Sequence, residues 1–174
     1  MTRPRIGIWI IGARGGVSVS TLIGLSALQQ GLASENGLVS CLREFAHLPL
    51  PAWDQFVVGG HEIRQTSLWI EAERLHRESR VFDTDTLAAS RELLAETETR
   101  IRPGILWNVG STIRQLADSE VPEEGLPREL VSRIQADLSD FQQRERLSSV
   151  VVVNLASTEA PLDEASWPPT WAEA

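Results

Sequence analysis

The hydrophobic and polar residues of this chain follow two periods in turn, one typical of strands and one typical of helices. An apolar run from Ile6 ends at Gly12, and a glycine-rich turn separates it from a segment with leucines at helical spacing from Ser18 to Gln30. Gly31 then stands where a helix commonly ends. The chain is therefore predicted to begin with a strand, a tight turn and a helix.

The rest of the chain repeats these two patterns. Strands are predicted for three short apolar runs, residues 37–41, 54–60 and 105–109. Helices are predicted where apolar residues return every three or four positions, at residues 67–78, 86–99, 111–117 and 127–145. Residues 149–155, with four consecutive valines, form the strongest predicted strand, which we expect to be buried on both faces.

Strands that alternate with helices are typical of an α/β protein with a mostly parallel sheet and flanking helices. A length of 174 residues fits one domain, residues 1–174. The sequence stops soon after its strongest predicted strand, where such a sheet normally continues. We therefore expect a piece of a longer protein, with a sheet that is incomplete at its C-terminal side, an exposed edge and poor solubility.

Composition narrows the possible partners. The net charge of −8 argues against nucleic acid and anionic membranes, which both require clustered cations. The single cysteine, Cys41, excludes an internal disulfide and fits a reducing cytoplasm, and no metal site, membrane span or targeting segment is predicted. All sixteen basic residues are arginines, so chemistry that needs a lysine cannot come from this chain alone.

The glycine-rich turn, GARGGVSVS at residues 12–20, admits three interpretations. In the dinucleotide fingerprint G-x-G-x-x-G, Arg14 and Val17 occupy the second and third glycine positions. In a nucleotide-triphosphate phosphate loop, Val19 stands where a lysine is required, which excludes that class. A turn with no ligand is the third interpretation, and the residues alone leave it open beside dinucleotide binding.

Three segments, taken in order, resemble the myo-inositol-1-phosphate synthase family and its prokaryotic members in particular. They are IGIWIIGARGGVSVSTLIGLSAL at the start of the chain, FVVGGHEI at residues 56–63 and VVVVNLASTEAP at residues 150–161. The third follows a long helix that closes on D-x-x-D-F, as in the family. The resemblance covers nearly the whole chain.

This resemblance implies a Rossmann-like fold and NAD as the cofactor. The family is an isomerase of inositol and phospholipid biosynthesis: NAD oxidises a carbon of glucose 6-phosphate, the ring closes, and the hydride returns to give inositol 1-phosphate. Its catalytic lysines and its homo-oligomer depend on a later, inserted domain. We therefore assign no catalytic residue and expect an N-terminal, NAD-binding part that is inactive alone. The alternatives are a non-catalytic dinucleotide-binding module, a degenerate remnant, or a general NAD-dependent oxidoreductase.

The match to the family's motifs also assigns a cofactor site. The turn around the NAD pyrophosphate comprises Gly12, Ala13, Arg14, Gly15, Gly16, Val17 and Ser18. Glu62 stands where the family has an aspartate, so it would accept hydrogen bonds from ribose hydroxyls and favour NAD over NADP. The loop near the nicotinamide half comprises Asn154, Ala156, Ser157 and Thr158. Two other interpretations stay open: Arg14 in an ion pair with an acidic neighbour, and Glu62 solvated at its strand end.

Overall fold

A computed structural model describes residues 3–107, 109–118, 121, 125–156 and 170. In these residues the strands are β1 (Ile6–Ile11), β2 (Phe56–Glu62), β3 (Ile101–Pro103) and β4 (Ser149–Asn154). The helices are α1 (Gly16–Gln29), α2 (Leu68–Ser79), α3 (Thr84–Ala89), α4 (Arg91–Glu98), α5 (Ser111–Leu116) and α6 (Pro127–Arg144). None of these helices is both long and apolar enough to cross a bilayer.

The four strands form one parallel sheet in the order β3-β2-β1-β4. Ile6 of β1 is in register with Phe56 of β2 on one side and with Ser149 of β4 on the other. The carboxyl ends of β1, β2 and β4 therefore lie together at one edge of the sheet. The predicted α/β class with a mostly parallel sheet and flanking helices is confirmed.

Helices cover both faces of the central strands. Successive side chains of a strand point to opposite faces of the sheet, so each strand contributes to two cores. On one face, Ile10 and Val58 belong to a core cluster with buried residues of α1, α2, α3 and α4. On the other face, Trp9 and Val57 pack with Phe141 of α6. The unbroken apolar runs of β1 and β2 follow from this burial on two sides.

Two predicted strands are wrong. Residues 37–41 form loop and a short 3-10 helix (Val39–Cys41), their side chains are mostly exposed, and no strand of the described residues pairs with them. Residues 105–107 also lie outside any strand, since β3 ends earlier, at Pro103. The last bond between β2 and β3 is the one that the Gly104 N–H donates to the backbone oxygen of Glu62 at 2.8 Å, and Pro103, which has no N–H, fits a strand at the edge of the described sheet.

One predicted helix is divided in two. The segment 86–99 contains the end of α3 and the whole of α4, with Ser90 between them. The Ser90 hydroxyl donates to the backbone oxygen of Thr86 at 2.8 Å, and a serine that bonds its own backbone competes with a continuous helix.

The expectation that β4 is buried on both faces is wrong as well. Val151 and Val152 are 53% and 51% exposed, although they point to opposite faces of the sheet. β4 pairs with β1 along one side, and among the described residues no strand pairs with its other side. An edge strand lacks neighbours that would cover its side chains, which accounts for this exposure.

Candidate functional site

The glycine-rich turn lies at the edge where three strands end, between β1 and the start of α1. Gly12 has a φ of +82°, a left-handed conformation that favours glycine. A Cβ atom at Gly12 would also lie 3.1 Å from the backbone of Ala156, just beyond β4. The predicted turn residue Gly12 and the predicted loop residue Ala156 are therefore brought together.

Hydrogen bonds from the end of β2 hold the first half of the turn. The backbone oxygen of His61 accepts from the N–H groups of Gly12 and Ala13 at 3.0 and 3.1 Å. The N–H of Arg14 donates to Oε2 of Glu62 at 2.8 Å. Gly15 then donates to the oxygen of Gly12 at 3.0 Å, which closes the turn.

This packing depends on a second glycine. A Cβ atom at Gly60 would lie 2.2 Å from the backbone oxygen of Ile10 and 2.9 Å from the Cβ of Ala13. No side chain fits in that space, so the glycine lets β2 and the turn approach each other closely.

The second half of the turn leaves hydrogen-bond donors free. Among the described residues, the N–H groups of Gly16, Val17 and Ser18 have no acceptor, because the helical bonds of α1 begin with Val19 donating to Gly15. The Ser18 hydroxyl donates to the oxygen of Gly12 at 2.7 Å, so it stabilises the turn. With no acidic residue in the first turn of α1, these amides and the helix dipole favour an anion.

Both carboxylate oxygens of Glu62 accept hydrogen bonds from other residues of the protein. Oε1 accepts from the N–H groups of Ile63 at 2.8 Å and of Arg64 at 3.2 Å, and Oε2 accepts from the Arg64 guanidinium at 3.2 Å in addition to the Arg14 N–H. Burial opposes ionisation, but these hydrogen bonds outweigh it and hold the pKa of Glu62 below its ordinary value. The predicted ribose contact of Glu62 stays a prediction, while a solvated strand end is excluded, since the residue is 6% exposed.

The Arg14 side chain forms the ion pair that one interpretation of the sequence foresaw. Its guanidinium binds the Glu98 carboxylate and the backbone oxygen of Arg64. Glu98 is a partner that the sequence did not indicate, because it lies at the end of α4, far along the chain.

At the end of β4, the Oδ1 of Asn154 accepts from the N–H of Ala156 at 3.0 Å, and Leu155 donates to the backbone oxygen of Ile11 at 2.9 Å. These contacts keep the predicted loop beside the turn. The predicted residues Ser157 and Thr158 lie outside the described residues.

A buried polar chain lies beneath the turn. Trp9 Nε1 donates to Nδ1 of His61 at 3.0 Å, so the other ring nitrogen carries the proton and donates to Asp137 of α6 at 2.9 Å. Burial lowers the pKa of His61, and the bond to Asp137 only partly offsets this. The signal in the sequence was the D-x-x-D-F motif, whose first aspartate is Asp137.

A parallel sheet in this strand order, with a glycine turn leading from its central strand into a helix, defines a dinucleotide-binding domain of the Rossmann type. The sequence model of one family, described as myo-inositol-1-phosphate synthase, matches residues 6–168 as an NAD-binding domain. The chain belongs to this family, whose cofactor is NAD.

One solved structure supports the fold, and a second is reported with it. The inositol-3-phosphate synthase of Caenorhabditis elegans is 19% identical over 90% of this chain, with a TM-score of 0.66. A myo-inositol-1-phosphate synthase-related protein of Thermotoga maritima is 19% identical over 88% of this chain, with a TM-score of 0.48. This chain covers 35% of the length of each of these two chains. No curated protein sequence matches it significantly.

The turn fits the cofactor of the family. A pyrophosphate needs close backbone approach and several N–H donors, and the turn supplies both without a cationic side chain. Val17, at the second position of α1, is 64% exposed, so this end of the helix is open to solvent.

Proposed function

We propose that this chain is the NAD-binding part of an inositol-phosphate synthase and that it binds the pyrophosphate at the start of α1. The N–H groups of Gly16, Val17 and Ser18 would donate to phosphate oxygens, while Gly12 to Gly15 keep the backbone close to the ligand. The observation that carries this proposal is a helix start without an acidic side chain, where three amides have no acceptor in the part of the chain that the structure describes.

The remaining predicted residues would surround the rest of the cofactor. Asn154, Ala156, Ser157 and Thr158 would line the nicotinamide half, and Glu62 would approach the ribose by sharing lone pairs that Arg64 now uses. When bound, NAD accepts a hydride from a sugar carbon and gives it back. The residues of this chain bind and orient the cofactor for that exchange.

We propose that the chain alone forms no inositol phosphate. The resemblance places the family's catalytic lysines in a later, inserted domain, and this sequence contains neither lysine nor tyrosine. Glucose 6-phosphate would bind only together with a substrate domain outside this sequence, in a cytoplasmic homo-oligomer. The same lack of lysine and tyrosine weighs against a general oxidoreductase.

The N-terminal turn of α1 allows a direct test. Val17→Glu would place a carboxylate beside the free amides, where it competes with the pyrophosphate, whereas Val17→Gln has nearly the same shape without the charge. Titration calorimetry should show NAD binding to the wild type and to Val17→Gln, and binding weaker by about tenfold or more to Val17→Glu.

The melting temperature of Val17→Glu should equal or exceed that of the wild type, since an acidic residue stabilises a helix N-terminus. Equal NAD affinity in all three proteins would place the cofactor elsewhere. No heat with millimolar NAD in the wild type would favour a remnant that binds nothing, and inositol phosphate formed from glucose 6-phosphate would contradict the proposed inactivity.

A further inference from the structure

On the basis of the NAD binding proposed above, we infer that Arg14 is a positioning residue and not a phosphate ligand. Its ion pair with Glu98 holds the glycine turn in the conformation that leaves the first amides of α1 free for the pyrophosphate. An arginine in a phosphate-binding turn would ordinarily suggest a direct contact with the anion. The contacts of this arginine lead to the opposite assignment.

Three donors of the guanidinium are already committed to the protein. Nε and Nη2 both donate to Oε1 of Glu98, Nε at 3.0 Å, and Nη1 donates to the backbone oxygen of Arg64 at 2.9 Å. The side chains of Arg14 and Glu98 are only 18% and 29% exposed. Two of its five N–H groups are left, but these three bonds fix where the guanidinium lies, and any phosphate bond that moved it would leave a half-buried carboxylate without its cation, which is unfavourable.

Glu98 extends the connection to a second helix start. Its other oxygen, Oε2, accepts from the N–H of Leu68, the first residue of α2, at 2.7 Å. Because Glu98 is the last residue of α4, the ion pair joins the turn, the segment after β2 and two helix ends.

The backbone of Arg14 is held as firmly as its side chain. Its N–H donates to Glu62, whose carboxylate also binds Arg64. Two acidic residues thus hold Arg14, one at each end, at the point where the chain turns into α1. The positive potential for the phosphate then comes from the helix start itself.

The test compares Arg14→Gln, Glu98→Gln, the double variant and Arg14→Lys by calorimetry with NAD. If the pair positions the turn, each single glutamine variant binds NAD about tenfold more weakly, and the double variant binds no more weakly than either, because coupled residues are not additive. Arg14→Lys should not restore affinity, since an ammonium cannot reproduce the three bonds that the planar guanidinium makes to Glu98 and to the backbone oxygen of Arg64. A direct phosphate contact would survive in Arg14→Lys as a point charge.

A second ion pair, which makes no bond to the turn, provides a matched control. Arg100 and Glu145 form an ion pair at 2.8 Å with side chains 17% and 21% exposed. Arg100→Gln and Glu145→Gln should lower the melting temperature by an amount similar to the Arg14 and Glu98 variants and leave the NAD affinity unchanged. An equal loss of affinity in the controls would show that general destabilisation explains the result, which would overturn the inference.

Unchanged or tighter NAD binding by Glu98→Gln, or full affinity of Arg14→Lys, would also overturn it. Hydrogen exchange without any ligand decides the matter independently. The amides of Ala13, Arg14 and Gly15 should exchange about tenfold faster in each single glutamine variant than in the wild type. In the double variant they should exchange no faster than in either single variant. If the wild type shows no heat with NAD, the proposed function fails, whereas this exchange measurement still supports or rejects the positioning role.

Discussion

At the scale of single residues, the carboxylate of Glu62 connects two stretches of backbone that are distant in sequence. It accepts from Ile63 and Arg64 beside it and from Arg14, 48 residues earlier. Since these bonds keep its pKa below the ordinary value, Glu62 is ionised at neutral pH. Its contribution to stability is present above the pKa of the unfolded chain and is lost as the pH falls through the lower pKa of the folded chain.

His61 gives a pH dependence that can be measured. Its pKa in the folded protein is lowered by burial, so between that value and the ordinary value near 6.5 the unfolded chain binds the proton and the folded chain does not. The wild type should therefore lose stability relative to His61→Gln as the pH falls from about 7 to about 5. Urea unfolding of both proteins across this range measures the difference.

The reason lies in the hydrogen bonds of the ring. Protonation would give both ring nitrogens an N–H, and Nδ1 would no longer accept from Trp9. Above pH 7 the difference in unfolding free energy between the two proteins should be constant. A constant difference over the whole range would show that the folded protein does not depress this pKa.

The sequence indicated the glycines of the site more readily than the residues that form its ion pair. Gly12 and Gly60 follow from a strand that ends in a tight turn and from a strand that ends in two glycines, both local patterns. The Arg14–Glu98 pair joins residues that are 84 positions apart. Their contact depends on where α4 ends relative to the sheet, which no local pattern encodes.

At the scale of elements, an aromatic ring of α6 packs against the central strand of the sheet. Phe141 is buried against Trp9, with ring centroids 5.0 Å apart. Phe141→Ala should lower the free energy of unfolding by about 3 to 4 kcal/mol through the lost contacts and the cavity that remains. Denaturant titration checks this value, with the exposed Gln143→Ala as the control.

The control should change stability by less than about 0.5 kcal/mol. A loss below about 1 kcal/mol in Phe141→Ala would mean that other contacts hold α6 in place. In that case the hydrogen bond between His61 and Asp137 would be the next contact to remove by mutation.

Some helices and strands could be predicted from the sequence and others could not. The long periodic segment of α6 and the apolar β1 were predicted correctly, because many residues agree on one pattern. Residues 37–41 were wrongly predicted as a strand, since a few apolar residues do not reveal whether a neighbouring strand exists to pair with them. Ser90 divided a helix whose spacing of leucines continues across the break.

At the scale of the whole molecule, we expect unwanted association at the side of β4 with which no described strand pairs. Val151 and Val152 are about half exposed, and the segment around them carries no charge from Leu147 to Ala156. We expect the wild type to self-associate at tens of micromolar, and Val152→Lys to reduce this, because a charged side chain discourages strand pairing. Sedimentation velocity across a concentration series measures it.

Val131→Lys provides the comparison, since Val131 is also exposed but lies on α6. It should associate as the wild type does. A wild type that stays monomeric and melts in one cooperative transition would contradict the expectation of poor solubility.

The contacts around the turn have a consequence for how quickly a ligand is accepted. The backbone oxygen of His61, the Glu62 carboxylate and the Ser18 hydroxyl already fix the segment from Gly12 to Gly15. The conformational entropy of this loop is lost when the protein folds and not when it binds. An anion at the start of α1 therefore meets a preorganised cradle, and its association need not wait for a loop to rearrange.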